Sequence, residues 1–436
     1  MARIGFAYNL KPEQSGSLST EDATTSRPED DPPSSRRDIA SRTSSSLAAI
    51  ENRAGETSDP HSASVVEILE LEADDEYAEW DSKETIGAIE RALSAYGDVI
   101  RLEANEDFPE RLRRERPDIV FNIAEGWRGV NREAHVPAIC EFFGIPYSGS
   151  DPFTLSLCLD KARTKEWLSY HGIRTAPWVL LHDVAELESF LGRKTRSSLV
   201  VSPRSTVFVK PVHEGSSKGI TEKNFCRTPE EIEAQVLFLR QRYDQPVLVE
   251  EYLSGAEFTC AILGNDDDAR VLPIVGMNFA ALPDGSLPVY GFEAKWLWDT
   301  PEHPLEMFDC PARIDDLLAS EIERIALHAY RVLGCRDWSR IDVRLDAKGR
   351  PNVVEVNPLP GILPNPEDNS CLPKAARAAG MSYDELIGAC LQAAAARQGV
   401  TLKIARHPEG TRGLRMANNP NGNPQSAVRN RRGGQR

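Results

Sequence analysis

Residues 338–361, WSRIDVRLDAKGRPNVVEVNPLPG, alternate with a period of two on either side of a turn, which commits them to a β-hairpin. On the first strand Ile341, Val343 and Leu345 share one face, and Arg340 and Asp342 share the other. On the return strand Val354 and Val356 take one face, and Glu355 and Asn357 the opposite one. A turn through Asp346–Gly349 therefore gathers Arg340, Asp342, Glu355 and Asn357 on a single surface. Two carboxylates and an amide oxygen are hard donors that suit Mg²⁺ and not zinc. An adjacent arginine suits a phosphate bridged by that metal. The same alternation also describes a merely solvated hairpin face.

Two segments cannot contribute to a core. Residues 11–64 hold 18 Ser or Thr in 54 positions and almost no aliphatic periodicity, so they read as a disordered insertion behind a first strand, Ile4 to Leu10. The tail 401–436 carries eight basic residues against Glu409 alone and also reads as disorder. Elsewhere strands and helices alternate. Helices are expected at 79–96, 131–143, 152–171, 228–242, 312–333, 371–379 and 383–397. Strands are expected at 118–124, 177–181, 206–211, 247–253, 257–263, 338–345 and 352–357. The first part has the βαβ rhythm of a small parallel-sheet domain ending near residue 150, and the whole is an α/β and α+β chain of three lobes.

Charge and cysteine usage exclude several functions. Lys plus Arg is 51 and Asp plus Glu is 67, a net charge of −16, which opposes non-specific binding to nucleic acid or an anionic membrane. An anionic substrate would need cations concentrated locally. No run approaches a membrane span, and the apolar stretch after Arg3 breaks too early for a secretory leader. The eight cysteines form no CxxC pair, as expected of reduced thiols in a cytoplasmic protein.

Three further segments carry candidate chemistry. In VFVKPVHEGSSKGI (207–220) a strand delivers Lys210, and Gly215–Gly219 form a flexible Gly/Ser loop whose amides and hydroxyls (Ser216, Ser217) can approach phosphate oxygens. It lacks the Walker spacing, and taken alone the segment reads more simply as a short Gly/Ser hairpin turn. In PVLVEEYLSGAEFTCAIL (246–263) two strands meet at Ser254-Gly255, with Glu250, Glu251 and Glu257 around the turn. A strand edge plus a carboxylate can grip adenine and ribose hydroxyls, and an ordinary acidic hairpin would look the same. FEAKWL (292–297) offers Lys295 beside Trp296.

Taken in order, IPYSGS…LDKARTK, FVKPVHEGSS, VLVEEYLSGAEFTCAILG, EAKW, SRIDVRLD, VEVNPLPG and SCLPKAARAAGMS resemble the D-alanine–D-alanine ligase family of ATP-grasp enzymes over about residues 118–397. The resemblance implies a parallel-sheet pre-ATP-grasp domain (1–10 with 65–150). It also implies a central ATP-grasp subdomain at 151–245 and a C-terminal one at 246–400. Lys161 and Lys210 would hold ATP phosphates, with Ser217 beside them. Glu250, Glu251, Tyr252 and Leu253 would form the adenine hinge, Glu257 would bind ribose, and Lys295 would meet the γ-phosphate. Asp342, Glu355 and Asn357 would hold two Mg²⁺ (or Mn²⁺) ions. Arg340 and the Gly361 N–H would stabilise an oxyanion, Ser216 would position the active-site loop, and Ser370 would hold the second substrate's carboxylate.

The implied reaction joins two amino acids in the cytoplasm, in cell-wall peptidoglycan synthesis, through an acyl phosphate with release of ADP, by an enzyme that forms a homodimer. The nucleotide half of the pattern is intact and the first-amino-acid half is altered. The loop after the first strand is replaced by the insertion, leaving Glu76 or Glu79 to stand for the family's ammonium-binding glutamate. A His-Gly is replaced by Glu125-Gly126, where Glu125 could meet a substrate ammonium, Arg128 or Arg132. A tyrosine is replaced by Trp296. The alternatives are an ATP-grasp ligase for another amino acid or amine in secondary metabolism, and a non-catalytic ATP-binding module.

Overall fold

The computed structural model describes residues 1–12, 77–192, 202–283, 285–289, 291 and 305–403. The expected disorder at 11–64 and 401–436 falls almost wholly outside these residues, as do Glu76, Lys295 and Trp296.

Strand β1 (Ala2–Tyr8) is central in a parallel sheet of order β2-β1-β3. Helix α1 (Lys83–Leu93) starts where the Ser82 hydroxyl accepts from the Thr85 N–H at 3.1 Å. Strand β2 (Gly97–Glu103) follows at once, where the sequence offered only a helix stop at Gly97. Its run GDVIRLE hides the strand because charges at Asp98, Arg101 and Glu103 break the apolar alternation. Helix α2 (Phe108–Glu115), strand β3 (Ile119–Asn122) and helix α3 (His135–Phe143) complete the unit. Helices cover both faces of the sheet, as an all-parallel sheet requires. Beyond β1 the chain returns to its own start: the Asp81 N–H donates to the Asn9 carbonyl at 3.0 Å and the Lys11 N–H to the Asp81 carbonyl at 2.9 Å.

The single helix expected at 152–171 is two, α4 (Pro152–Leu159) and α5 (Lys161–Tyr170). Asp160 breaks it by adopting an extended backbone, from which its Oδ1 accepts the N–H groups of Ala162 and Arg163 at 3.0 and 2.9 Å. Next come β4 (Trp178–Leu181), the unanticipated short helix α6 (Val184–Leu191), β5 (Val207–Pro211), β6 (Phe225–Cys226), α7 (Pro229–Tyr243) and β7 (Val247–Glu251). The strands form an antiparallel sheet of order β4-β7-β5-β6 with its own apolar core.

The last sheet is built from β8 (Glu257–Leu263), β9 (Arg270–Val271), β10 (Val275–Met277), β11 (Phe308–Asp309), β12 (Trp338–Leu345) and β13 (Pro351–Asn357). Helix α8 (Asp316–Leu333) packs on it around Ile322, Ile325, Ala326 and Ala329, in a core shared with Ile341, Val343 and Val356. Helices α9 (Cys371–Ala378) and α10 (Tyr383–Arg397) pack against the first sheet's core, where Trp338 also stacks on Phe121 at 5.3 Å. Among the described residues no helix is long and apolar enough to cross a membrane, and all eight cysteines are free.

Two expectations are corrected. Strands β7 and β8 do not pair across Ser254-Gly255: β7 lies between β4 and β5, and β8 between β10 and β12. The short link instead carries the chain from one sheet to the next, fixed where the Gly255 N–H donates to the Leu345 carbonyl at 2.9 Å. A Cβ at Gly255 would lie 2.6 Å from the Leu345 Cβ and 2.7 Å from its carbonyl oxygen. Gly255→Ala is expected to cost about 1–3 kcal/mol, read as a lower urea midpoint. An unchanged midpoint would show that the link yields. The second correction lies in β13, where a bulge after the Asp342–Glu355 pair opposes Val343 to Val353. Val353 therefore joins the core in place of Val354.

Candidate active site

Cross-strand register assembles the polar face of the hairpin. Arg340 sits opposite Asn357, and Asp342 opposite Glu355. Arg340 Nη2 lies 3.0 Å from Asp342 Oδ2, and Asn357 Nδ2 donates to the same oxygen at 3.3 Å. From β8, Thr259, paired with Asp342, donates its hydroxyl to Oδ1 at 2.8 Å. Arg340 Nε is buried without a partner, a donor left for something that enters.

Cations arrive from the neighbouring elements. The capped start of α5 places Lys161 at its first position and Lys165 one turn on, on the same face. Lys161 Nζ reaches Glu355 Oε1 at 2.9 Å and the Glu214 carbonyl. Lys210 on β5 and Glu250 on β7 are diagonal neighbours, Nζ to Oε1 2.6 Å, and Lys165 holds Glu250 Oε2 at 2.7 Å. The Glu250 carboxylate is thus shared by two lysines. Burial alone would raise its pKa, but Lys165 and Lys210 bring it down to about 2. At Glu355, burial is likewise outweighed by Lys161 and Lys210, leaving a pKa of about 2. Both groups are anionic at any physiological pH.

Residues 215–219 form a fixed turn and not the flexible loop expected. Ser216, Ser217 and Gly219 all have left-handed backbones, at φ 48°, 63° and 68°. The Lys218 N–H donates to the Gly215 carbonyl at 2.9 Å, and Asn224 Nδ2 to the Gly219 carbonyl at 2.6 Å. Glu79 pins the turn from outside. It accepts from the Gly215 N–H at 3.0 Å and from Lys218 Nζ at 3.0 Å, while Arg132 Nη2 holds its other side at 3.0 Å.

These residues enclose one cavity of about 370 Å³. Its wall contains Glu125, Lys161, Lys210, Ser216, Ser217, Glu250, Glu251, Tyr252, Leu253 and Glu257. It also contains Arg340, Asp342, Glu355, Asn357, Gly361 and Ser370, so every described candidate faces the same space. Ser370 caps α9 and donates to the Gly361 carbonyl at 3.1 Å. Glu125 makes no pair with either arginine: Arg132 is taken by Glu79, and Arg128 stacks on Trp127 at 4.4 Å.

Residues 168–392 match the family pattern described as D-ala D-ala ligase C-terminus. A D-alanine–D-alanine ligase of Bordetella petrii is 33% identical over 311 residues, 71% of this chain and 86% of that one. The chain belongs to the D-alanine–D-alanine ligase family. An uncharacterized protein of Sinorhizobium fredii, y4sG, is 36% identical over 304 residues, 69% of this chain and 82% of its own length. The ATP-complexed D-alanine–D-alanine ligase of Bacillus anthracis superposes with a TM-score of 0.55 at 20% identity, covering 92% of this chain and 99% of that one, which establishes the likeness of fold. The VanG D-Ala:D-Ser ligase of Enterococcus faecalis reaches 0.50 at 27% identity over 64% of this chain and 73% of its own.

Within this family member, sequence reasoning missed several groups in or behind the cavity wall, among them Arg344, Lys165, Glu133 and Lys218. Arg344 continues the Arg340, Asp342 alternation and was legible there. It bonds Glu257 at 2.8 Å, its partner in register, and the Tyr252 hydroxyl at 2.6 Å, and it stacks over the Tyr252 ring at 4.7 Å. Lys165 was visible only as a second lysine one turn after Lys161. Glu133 and Lys218 carried no local signal, because their meaning comes from elements that meet them in space.

Proposed function

We propose that this ATP-dependent ligase activates the carboxylate of one amino acid as an acyl phosphate and joins it to the amine of a second. The carrying observation is the hairpin face bearing Arg340, Asp342, Glu355 and Asn357, set across one cavity from Lys161, Lys210 and the Gly215–Gly219 turn. A substrate carboxylate and a triphosphate repel, so cations must offset their approach. Lys161, Lys210 and, by the family resemblance, Lys295 serve the phosphates, and backbone amides of the turn add donors. The strand edge at Glu250–Leu253 faces adenine and Glu257 the ribose, with Arg344 holding Glu257 in place.

Asp342, Glu355 and Asn357 supply the hard oxygen donors that would hold two Mg²⁺ ions, whose chemistry is to neutralise charge on the transferring phosphoryl group. In the first step a carboxylate oxygen bonds to the γ-phosphorus while the bond to the β–γ bridging oxygen breaks, releasing ADP. In the second the amine nitrogen bonds to the acyl carbon, the C–O bond to phosphate breaks, and the amine's proton leaves to water. Arg340 and the Gly361 N–H meet the negative charge that develops on the carbonyl oxygen. Ser370 steadies the Gly361 segment, and its hydroxyl would turn from the Gly361 carbonyl to the second substrate's carboxylate when that substrate binds.

The test is phosphate release with ATP and Mg²⁺ across single amino acids and pairs. Release that depends on an amino acid and stops with excess EDTA is expected. ATP binding without release under any pairing would instead support a non-catalytic module. An oxyanion-facing arginine has no use in such a module, which is why the enzymatic reading is preferred. A cytoplasmic location and a homodimer belong to the same proposal, the latter read by light scattering.

A further inference from the structure

We infer that the end of the cavity nearest the three-stranded sheet accepts a second positive charge on the first amino acid, so that its side chain is basic, an aminoalkyl or guanidinium group. The inference rests on the ligase reading and names its substrate class. Three carboxylates in this wall, Asp81 before α1, Glu125 after β3 and Glu133 before α3, have no hydrogen bond or ion pair to any described side chain. Glu125 is half-buried and lines the cavity.

The cations close by are already committed. Arg132 serves Glu79 at 3.0 Å and Glu214 at 3.7 Å, Lys218 serves Glu79 at 3.0 Å and Glu214 at 3.6 Å, and Lys161 serves Glu355. Among the described residues Glu79, Asp81, Glu125, Glu133 and Glu214 therefore set five carboxyl groups against Arg132 and Lys218, which leaves Asp81, Glu125 and Glu133 without a cation. The ammonium of an ordinary amino acid offsets one of these charges, and a basic side chain offsets a second.

Such a ligand would relieve a cost that these carboxyl groups carry. Burial pushes Asp81 up to about 7, and burial with repulsion from Glu79 pushes Glu133 up to about 8. Burial and then Glu133 hold Glu125 well above the ordinary carboxyl range. The local structure holds these groups in place. Trp80 Nε1 donates to the Gly126 carbonyl at 3.2 Å, and the Gly126 N–H donates to Asn9 Oδ1 at 2.8 Å, so the loop bearing Glu125 is tied to both β1 and the start of α1.

The test measures phosphate release with ATP and Mg²⁺ for D- and L-alanine, serine, ornithine, lysine and arginine, alone and in pairs. At least one basic amino acid is expected to exceed alanine of the same configuration by about 30-fold in kcat/KM. The double substitution Glu125→Gln with Glu133→Gln is expected to reduce that preference to below about threefold, with ATP affinity confirming the fold. Equal or better use of alanine by the native protein overturns the inference and leaves the ligase reading standing. A preference that survives the double substitution assigns it elsewhere and also overturns the inference. ATP binding without release for any amino acid overturns both readings.

Discussion

Arg340→Ala is expected to lower kcat by about 10²–10³ while the KM for ATP changes by less than about threefold. The arginine lines the cavity, and its Nη2 binds Asp342 while Nε is buried and unpaired. Burial tends to lower its pKa, but Asp342 more than offsets this, so the guanidinium stays charged throughout the working range. A donor that meets charge only as the carbonyl oxygen becomes anionic contributes to the transition state and not to nucleotide binding. Arg340→Lys keeps the charge and loses the fork, and should fall between the two. Steady-state kinetics with ATP and the preferred amino acids decide the matter. If ATP affinity collapsed in step with kcat, Arg340 would be a phosphate ligand and the assignment would fail.

Glu250→Gln should be the most damaging substitution for stability, at about 3–5 kcal/mol, because it strands two buried ammonium groups. The side chains of Lys165, Lys210 and Glu250 are only 2%, 6% and 6% exposed. The pH dependence has a definite sign. The folded-state pKa of Glu250 is held at about 2, below its ordinary value of 4.5. Its contribution is therefore complete above about pH 4.5 and fades as the pH falls toward 2. Glu355 titrates over the same window, so the native protein alone cannot isolate Glu250. The difference between native and Glu250→Gln urea midpoints can, and it should be largest near pH 6 and shrink toward pH 3. A difference that stayed constant with pH would mean that the lysines are not stabilised by this charge. Lys165→Met added to Glu250→Gln should recover part of the loss, since one stranded cation is then removed.

The hairpin was legible because period two is a local property: Arg340, Asp342, Glu355 and Asn357 needed only strand geometry to converge. The bulge at Val353–Val354 was not, since nothing in a run of valines marks which one slips. Lys210 and the Gly/Ser turn were visible as residues, but the turn is pinned at Gly215 and Lys218 by Glu79, which is 136 positions away from Gly215 along the chain. The Ser254-Gly255 link looked like a hairpin because two apolar runs flanked a turn dipeptide. Only the partner strands show that it passes between sheets. Strand β2 was lost to its charges, and Asp160 concealed a helix boundary because a single capping residue looks the same as a tolerated mid-helix aspartate. The altered first-amino-acid half was legible as a departure, but that Glu125 and Glu133 have no ion pair among the described residues follows from where Arg132 points.

The link at Gly255 has a consequence for how ligands stabilise this protein. The sheets on its two sides have separate hydrophobic interiors, one around Val209, Val236 and Val249 and the other around Ile322, Ile341 and Val343. Such units can open one at a time, with different free energies. A nucleotide seated between them touches both, so its binding energy counts against the opening of either. At a hundred times its dissociation constant that is about 2.7 kcal/mol, added to each half at once. Occupancy would thus couple two folding units with separate interiors into one cooperative body.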